Sequence, residues 1–324
     1  MPLLSRRAAS PVDAEASEQA GRHARIHDAP TGIEGSAAAS SRMRSGTGRR
    51  TGIFAHCANP RCGSGWLQLW RRRETPVFEG GWCCSEECTL SRITTALTRE
   101  MDGRGSARES HRHRIPLGLA MLEQGWITPE NLRAALSAQR NAGTGKLGWW
   151  LVRQQSASED LVTRALGMQW GCPVLSMEFH NPEGLTTFLP RLFVDAFGVL
   201  PLRTAAGKIL YLGFEDRLDP SLALAVERMT GMRVESGLVR ESFFRPAHAR
   251  MLEARFPSAE LIEAATETAL AAALTKAVER ARPVEARLVR VHDCLWLRMW
   301  LRPQSGPVPE PDAIQDVIAS AAAH

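Results

Sequence analysis

The chain has 324 residues, 44% of them hydrophobic, which is enough for several packed units and excludes a wholly disordered polymer. Its net charge of +5 comes almost entirely from arginine, since Lys146, Lys208 and Lys276 are the only lysines among 40 basic residues. Arginine is spread along the whole length, so the charge is weak evidence for a polyanion partner. Apolar stretches are broken by charges short of a membrane span, and the start, Met1 to Arg7, lacks the apolar run of a secretion signal. Five of the seven cysteines cluster before residue 90, while Cys172 and Cys294 stand apart. This is no disulfide framework, and a reducing, cytoplasmic setting is expected without membrane insertion.

Residues 1–50 are rich in Ala, Ser, Gly and Arg and are expected to be disordered. From 51 to 100 the text changes to Cys57-Ala-Asn-Pro-Arg-Cys62, a spacer, and Trp82-Cys83-Cys84-Ser85-Glu86-Glu87-Cys88. Two close thiolate pairs can enclose one zinc ion tetrahedrally. Trp66–Trp70 and Thr75–Phe78 have strand composition, Glu79-Gly80-Gly81 has turn composition, and Ser85-Glu86-Glu87 has the acidic character of a first helical turn. Knuckle, hairpin and ligand-bearing helix resemble the treble-clef zinc fingers that end in Cys-Ser-Glu-Glu-Cys. That resemblance aligns Cys84 rather than Cys83 with the ligand before the helix, giving Cys57, Cys62, Cys84 and Cys88 as ligands of a structural zinc. Cys84 and Cys88 share a helical face, and Cys83 then packs as a small apolar residue. His56 is a substitute ligand beside Cys57, although a residue in that position is more commonly just exposed. Arg71-Arg72-Arg73, with Arg61 and Arg92, supplies a basic patch for a nucleic-acid reading of the finger. The segment Thr89–Thr98 is mostly small and apolar and has no base-reading character.

A polar linker, 101–113, contains His111-Arg112-His113, read as a solvated charged stretch. An internal repeat follows over 114–171. Residues 117–139 laid over 147–169 match at Leu117/Leu147, Gly118/Gly148, Gln124/Gln154, Ala135/Ala165, Leu136/Leu166 and Gln139/Gln169. Each copy predicts a short helix, a turn and a longer helix. Thr128 with Pro129 opens the long helix of the first copy; in the second, Ser158 aligns with that cap, and Ser156 with Glu159 offers a capping box earlier. Residues 172–245 predict a small α/β unit: an extended Cys172–Leu175, a helix over Pro190–Phe197, strands at Val199–Leu202 and Ile209–Phe214, a helix from Asp219-Pro220 to Met229, and a strand from Arg233.

Pro116-Leu117-Gly118…Gly125-Trp126-Ile127-Thr128…Leu132…Ala135-Leu136…Gln139, repeated as Lys146-Leu147-Gly148…Leu166…Gln169, resembles the amino-terminal, MshEN-like domain of type II secretion and type IV pilus assembly ATPases. Gly198-Val199-Leu200-Pro201-Leu202 and Asp216–Pro220 continue the likeness. The resemblance implies a protein partner, a secretion or pilus assembly component, for which Trp126, Trp149 and Trp150 are candidate contacts. It also implies cyclic di-GMP as a ligand of some members, which carries over to Arg114, Gly118, Gln139, Lys146, Gly148 and Gln169. This chain departs from the pattern where Pro116 replaces an arginine and Gln155 stands opposite Gly125. A helical module for protein contacts is therefore the preferred reading.

Gly143-Thr144-Gly145-Lys146-Leu147 lacks the spacing and hydroxyl of a phosphate-binding loop, so no ATPase core, and no enzyme, is expected. Residues 246–302 are expected to hold a helix over Leu261–Ala281 and a hairpin of Val284–Val291 with Cys294–Leu301. His292, Asp293 and Cys294 are turn neighbours that cannot assemble a catalytic relay. A tail, 303–324, includes a short helix from Asp312. The chain is thus expected to be an α+β multidomain protein: a zinc finger, a helical-hairpin repeat packed with a small α/β unit, and a C-terminal helix plus hairpin. Its expected role is that of a non-catalytic adaptor or regulator.

Overall fold

The computed structural model describes residues 57–63, 76–102, 115–177, 181, 184–303 and 310–321. The expected disordered segment, the strand at Trp66–Trp70, Arg71–Arg73, residues 103–113 of the linker and Arg114 lie outside them; Met101 and Asp102, expected in the linker, end a helix instead. The described chain is an α+β assembly of helices and three sheets.

The repeat forms four helices: α2 (Leu117–Glu123), α3 (Pro129–Ala142), α4 (Leu147–Arg153) and α5 (Glu159–Trp170). Thr128 and Asn131 make a reciprocal capping box, and Pro129 takes the first helical position. In the second copy Ser158 is the cap, accepting from the Leu161 amide, while Ser156 accepts from Asn131 Nδ2 across the copies. Each short helix packs on the long helix of the other copy, α2 on α5 and α4 on α3. The glutamines repeat this exchange. Gln139 Nε2 donates to the Gly145 carbonyl and Gln169 Nε2 to the Ile115 carbonyl, both at 2.7 Å. Gly125 turns the chain with φ 68°, and Gln155 adopts the same left-handed conformation, φ 57°.

The middle unit begins with α6 (Arg191–Phe197), followed by β3 (Val199–Ala205), β4 (Ile209–Phe214), α7 (Pro220–Thr230), β5 (Arg233–Leu238) and α8 (Glu241–Glu253). β3 and β4 form a hairpin over Ala206-Gly207, and α7 carries the chain across to β5, parallel to β4. Asp219 caps α7 through the Leu222 amide, with Pro220 behind it and Gly231 ending the helix at φ 71°. α8 has no counterpart among the expected elements, because Pro246 interrupts its pattern from inside the helix.

The C-terminal sheet contains β6 (Ser258–Ala264), β7 (Glu285–Val291), β8 (Cys294–Trp300) and β9 (Ile314–Ala321), in the order β6-β9-β8-β7. Two expectations are corrected here. Leu261–Ala264 is strand, and the helix α9 (Glu267–Ala281) starts only after Thr266 caps it through the Ala269 amide. The segment from Asp312, expected as a helix in a tail, supplies a central strand, because Ile314, Val317 and Ile318 fit a pleated, two-sided burial. Even-numbered residues of β8 and β9 face the middle unit, where Trp296, Trp300, Ile314 and Ile318 join one core with Phe193, Leu200, Phe214 and Val226. Odd-numbered ones, Leu295, Leu297, Met299, Val317 and Ala319, form a second core with α9.

Within the first of these interfaces Arg298 and Asp316, on adjacent strands, are 1% and 0% exposed. Two guanidinium nitrogens donate to the two carboxylate oxygens at 2.7 and 2.8 Å, and Nη1 donates to the Thr187 and Phe188 carbonyls. Asp316→Ala leaves that cation buried and unpaired. We expect urea denaturation to report a loss of about 3–5 kcal/mol. By contrast, Gln155→Gly relieves an exposed left-handed residue and is expected to raise stability by about 1 kcal/mol in the same assay.

Candidate metal centre

A loop, a hairpin and a helix converge near the start of the described chain. Cys57 and Cys62 lie on the loop, closed by a hydrogen bond from the Cys62 amide to the Asn59 carbonyl, 3.0 Å. The Asn59 side chain accepts from the Arg61 amide, in the manner of an Asx turn. β1 (Val77–Phe78) and β2 (Gly81–Trp82) pair antiparallel over a Glu79-Gly80 turn, both residues at positive φ. The Ala58 amide donates to the Trp82 carbonyl at 2.8 Å, drawing the loop against β2. The approach is close enough that a Cβ on Gly81 would stand 2.2 Å from that of Ala58. After β2 the chain enters α1 (Glu86–Asp102), whose first turn holds the Cys88 amide on Ser85 Oγ.

This geometry brings the sulfurs of Cys57, Cys62, Cys84 and Cys88 within 4.8 Å of one another. Cys62 and Cys84 are 3.5 Å apart and Cys84 and Cys88 3.6 Å. Four sulfurs at the zinc–thiolate distance of about 2.3 Å sit about 3.8 Å apart along a tetrahedron's edges, so the residues fit a zinc ion. Asn59 Nδ2 donates to Cys88 Sγ at 3.4 Å, the kind of outer contact that holds a thiolate ligand in orientation. Burial pushes the Cys57 thiol up to about 12. A divalent ion would reverse that effect by deprotonating its ligands. Cys83 stands outside the group at 2% exposure, and burial raises its thiol too. His56 lies outside the described residues.

The centre is joined to the C-terminal sheet. The Val77 amide donates to the Pro283 carbonyl and the Glu79 amide to the Ala286 carbonyl, so the hairpin covers the edge of β7. Phe78, Ile93, Ala96, Leu97 and Met101 share a core with Leu270, Leu274, Val278 and Leu288. At the far end of α1, Glu100 is 4% exposed and receives Arg228 through two bonds, 2.9 and 2.5 Å, and the Arg290 amide at 3.2 Å. Sequence reading missed Asn59 and Glu100. Asn59-Pro60 is a local turn signal, but nothing near Glu100 announces partners 128 and 190 residues away.

The other candidate residues are placed differently. Gly118 and Gly148 are buried at equivalent helix contacts, where an added Cβ would meet Leu132 and Val162 at 2.6 Å each. Gln139 and Gln169 bond backbone, as described. The ammonium of Lys146 lies 2.6 Å from Asp216 and 3.7 Å from Glu215. Arg92 donates to the Phe78 carbonyl. His292 turns to Asp219, 2.6 Å away, and stacks on Phe197.

The fold and the four-sulfur group define a mixed α+β protein with a candidate metal centre at one end of its sheet. No family model matches the chain. Bacteriophage adsorption protein B of Escherichia coli (strain K12) and bacteriophage N4 adsorption protein B of Escherichia coli O157:H7 are each 32% identical to it over 126 residues. The match takes in 38% of this chain and 16% of theirs, so the chain spans a small part of these relatives. Among solved structures, that of MshE with cdg is similar over 43% of this chain and 99% of its own, at 22% identity and a TM-score of 0.34. The N-terminal domain of XpsE is similar over 41% and 92%, at 22% identity and a TM-score of 0.30.

Burial raises the Glu100 carboxyl, but the hydrogen bonds and charges of Arg228 and Arg99 outweigh it and hold the group below the usual range. A carboxylate depressed on folding contributes stability above its unfolded value of about 4.3, and that contribution is lost as pH falls through the lower folded value. Thermal melts are therefore expected to show an acid-side decline beginning below about pH 5 that Glu100→Gln flattens.

Proposed function

We propose that this chain is a non-catalytic adaptor or regulatory protein in which a structural zinc at Cys57, Cys62, Cys84 and Cys88 secures a docking module of the secretion-ATPase amino-terminal type. One observation carries the proposal: four cysteine sulfurs within 4.8 Å of one another occupy the junction between the β7-capping hairpin and α1. All four corners of such a site are protein thiolates, which suits a structural ion rather than a catalytic one. None of the cysteines is joined in a disulfide, which leaves all four thiols available to an ion. Among the described residues no helix is long and apolar enough to cross a membrane.

A protein partner, a secretion or pilus assembly component by resemblance, is supported by Leu119 and Trp149. They occupy equivalent positions in the two copies and are 54% and 42% exposed. Large apolar side chains at matched positions make a contact surface. Cyclic di-GMP fits this module less well, because Lys146, the one cation at a described candidate position, is already paired with Asp216. The nucleic-acid reading rests on Arg71–Arg73 and gains nothing from Arg92, which bonds a main-chain carbonyl.

Elemental analysis of purified protein tests the central claim. Equimolar zinc is expected in the wild type and in Cys83→Ser, with loss of the metal and a lower melting temperature in Cys84→Ser. Wild-type protein free of zinc overturns the proposal, and loss from Cys83→Ser alone would reassign the ligand.

A further inference from the structure

The two edges of the C-terminal sheet are treated unequally. The β7 edge is covered by the hairpin through Val77 and Glu79. At the other edge, β9 is the only strand neighbour of β6 among the described residues. β6 pairs with β9 over seven residues in unbroken parallel register. Its sequence, Ser258-Ala259-Glu260-Leu261-Ile262-Glu263-Ala264, has no proline, no lysine and no bulge to blunt the edge, and its only charges are Glu260 and Glu263. Leu261 stands 66% exposed at its centre, the most exposed large hydrophobic residue described.

We propose that β6 pairs antiparallel with β6 of a second copy about a twofold axis through Leu261, doubling the sheet. The register follows from the sequence. A twofold axis normal to the sheet places residues of equal parity opposite one another, so the axis must pass through a residue. Centring on Glu260 or Glu263 sets like charges face to face, which is destabilising. Centring on Ile262 leaves Ser258 and Ala259 without strand partners. Only Leu261 as centre pairs all seven residues. Leu261 then meets its own copy, Glu260 meets Ile262, Glu263 meets Ala259, and Ser258 meets Ala264. The diagonal approach of Glu260 to its copy is neutralised by Arg280, which forms an ion pair with Glu260 within each chain. Helices α1 and α9 then lie on the same face in both copies, so no buried surface has to be reopened.

Analytical ultracentrifugation of the full chain across a wide concentration series tests the pairing. The weight-average mass is expected to rise from 35.6 kDa toward twice that value. Leu261→Lys is expected to hold the single-chain mass with an unchanged far-ultraviolet circular dichroism spectrum. Leu224→Lys, at another exposed leucine (59%), is expected to dimerise as the wild type does. The proposal is overturned if the wild type keeps the single-chain mass throughout, if Leu261→Lys still doubles, or if Leu224→Lys dissociates the dimer equally.

Discussion

Arg298 and Asp316 lie opposite each other on the two central strands of the C-terminal sheet, both shielded from bulk solvent. The pair does more than neutralise itself. Asp316 Oδ1 also accepts from Trp296 Nε1 at 2.8 Å, and the guanidinium lies over the Trp296 ring, 4.7 Å from its centroid. The remaining guanidinium nitrogen reaches main-chain carbonyls at Thr187 and Phe188, just before α6. Apolar residues of the same volume would fill this space at least as stably. What they would lack is direction: a slip of β9 by one residue would send Asp316 to the opposite face and strand Arg298. The ion pair therefore selects one strand register and one seating of the middle unit on the sheet.

A second buried carboxylate extends this logic to the start of the chain. Helix α1 is held at one end by the sulfur group at Cys88 and at the other by Glu100, twelve residues or about 18 Å further on. Arg228 comes from α7 and the Arg290 amide from β7, so one carboxylate ties together three elements distant in sequence. Between these two ends α1 places Ile93, Ala96 and Leu97 against α9. The sulfur group is thus tied to the C-terminal sheet by two routes, helix α1 and the hairpin that covers β7.

The parts of this arrangement legible in the sequence are those specified locally. The cysteine spacing, the Thr128-Pro129 cap, the Asp219-Pro220 cap and the thirty-residue offset of the repeat each lie within a short window. β6 escaped because alanine and glutamate, good helix formers, mask its alternation, β9 because Ala319 and Ala321 close it with helix formers, and α8 because of Pro246. The ion pairs could not be read at all, since nothing in the neighbourhood of Glu100, Arg298 or Asp316 distinguishes them from surface charges. The matched glutamines fall between these cases. Their identity at equivalent positions was visible, but not that each reaches across to the other copy's loop.

That exchange bears on how the repeat is read. A glycine at matched positions of two helices invites the idea of a ligand approaching the backbone. Here a Cβ on Gly118 or Gly148 would collide with Leu132 or Val162, so their smallness serves the contact between helices. Gln139 and Gln169 are likewise spent on carbonyls of the module itself. Even the turn is kept at the expense of strain, since Gln155 takes the conformation that Gly125 adopts freely. With Gly118, Gly148, Gln139 and Gln169 engaged within it, the module leaves Leu119, Trp149 and the Lys146 side chain exposed. Exposed apolar side chains of that kind suit the proposed docking role better than recognition of a phosphate.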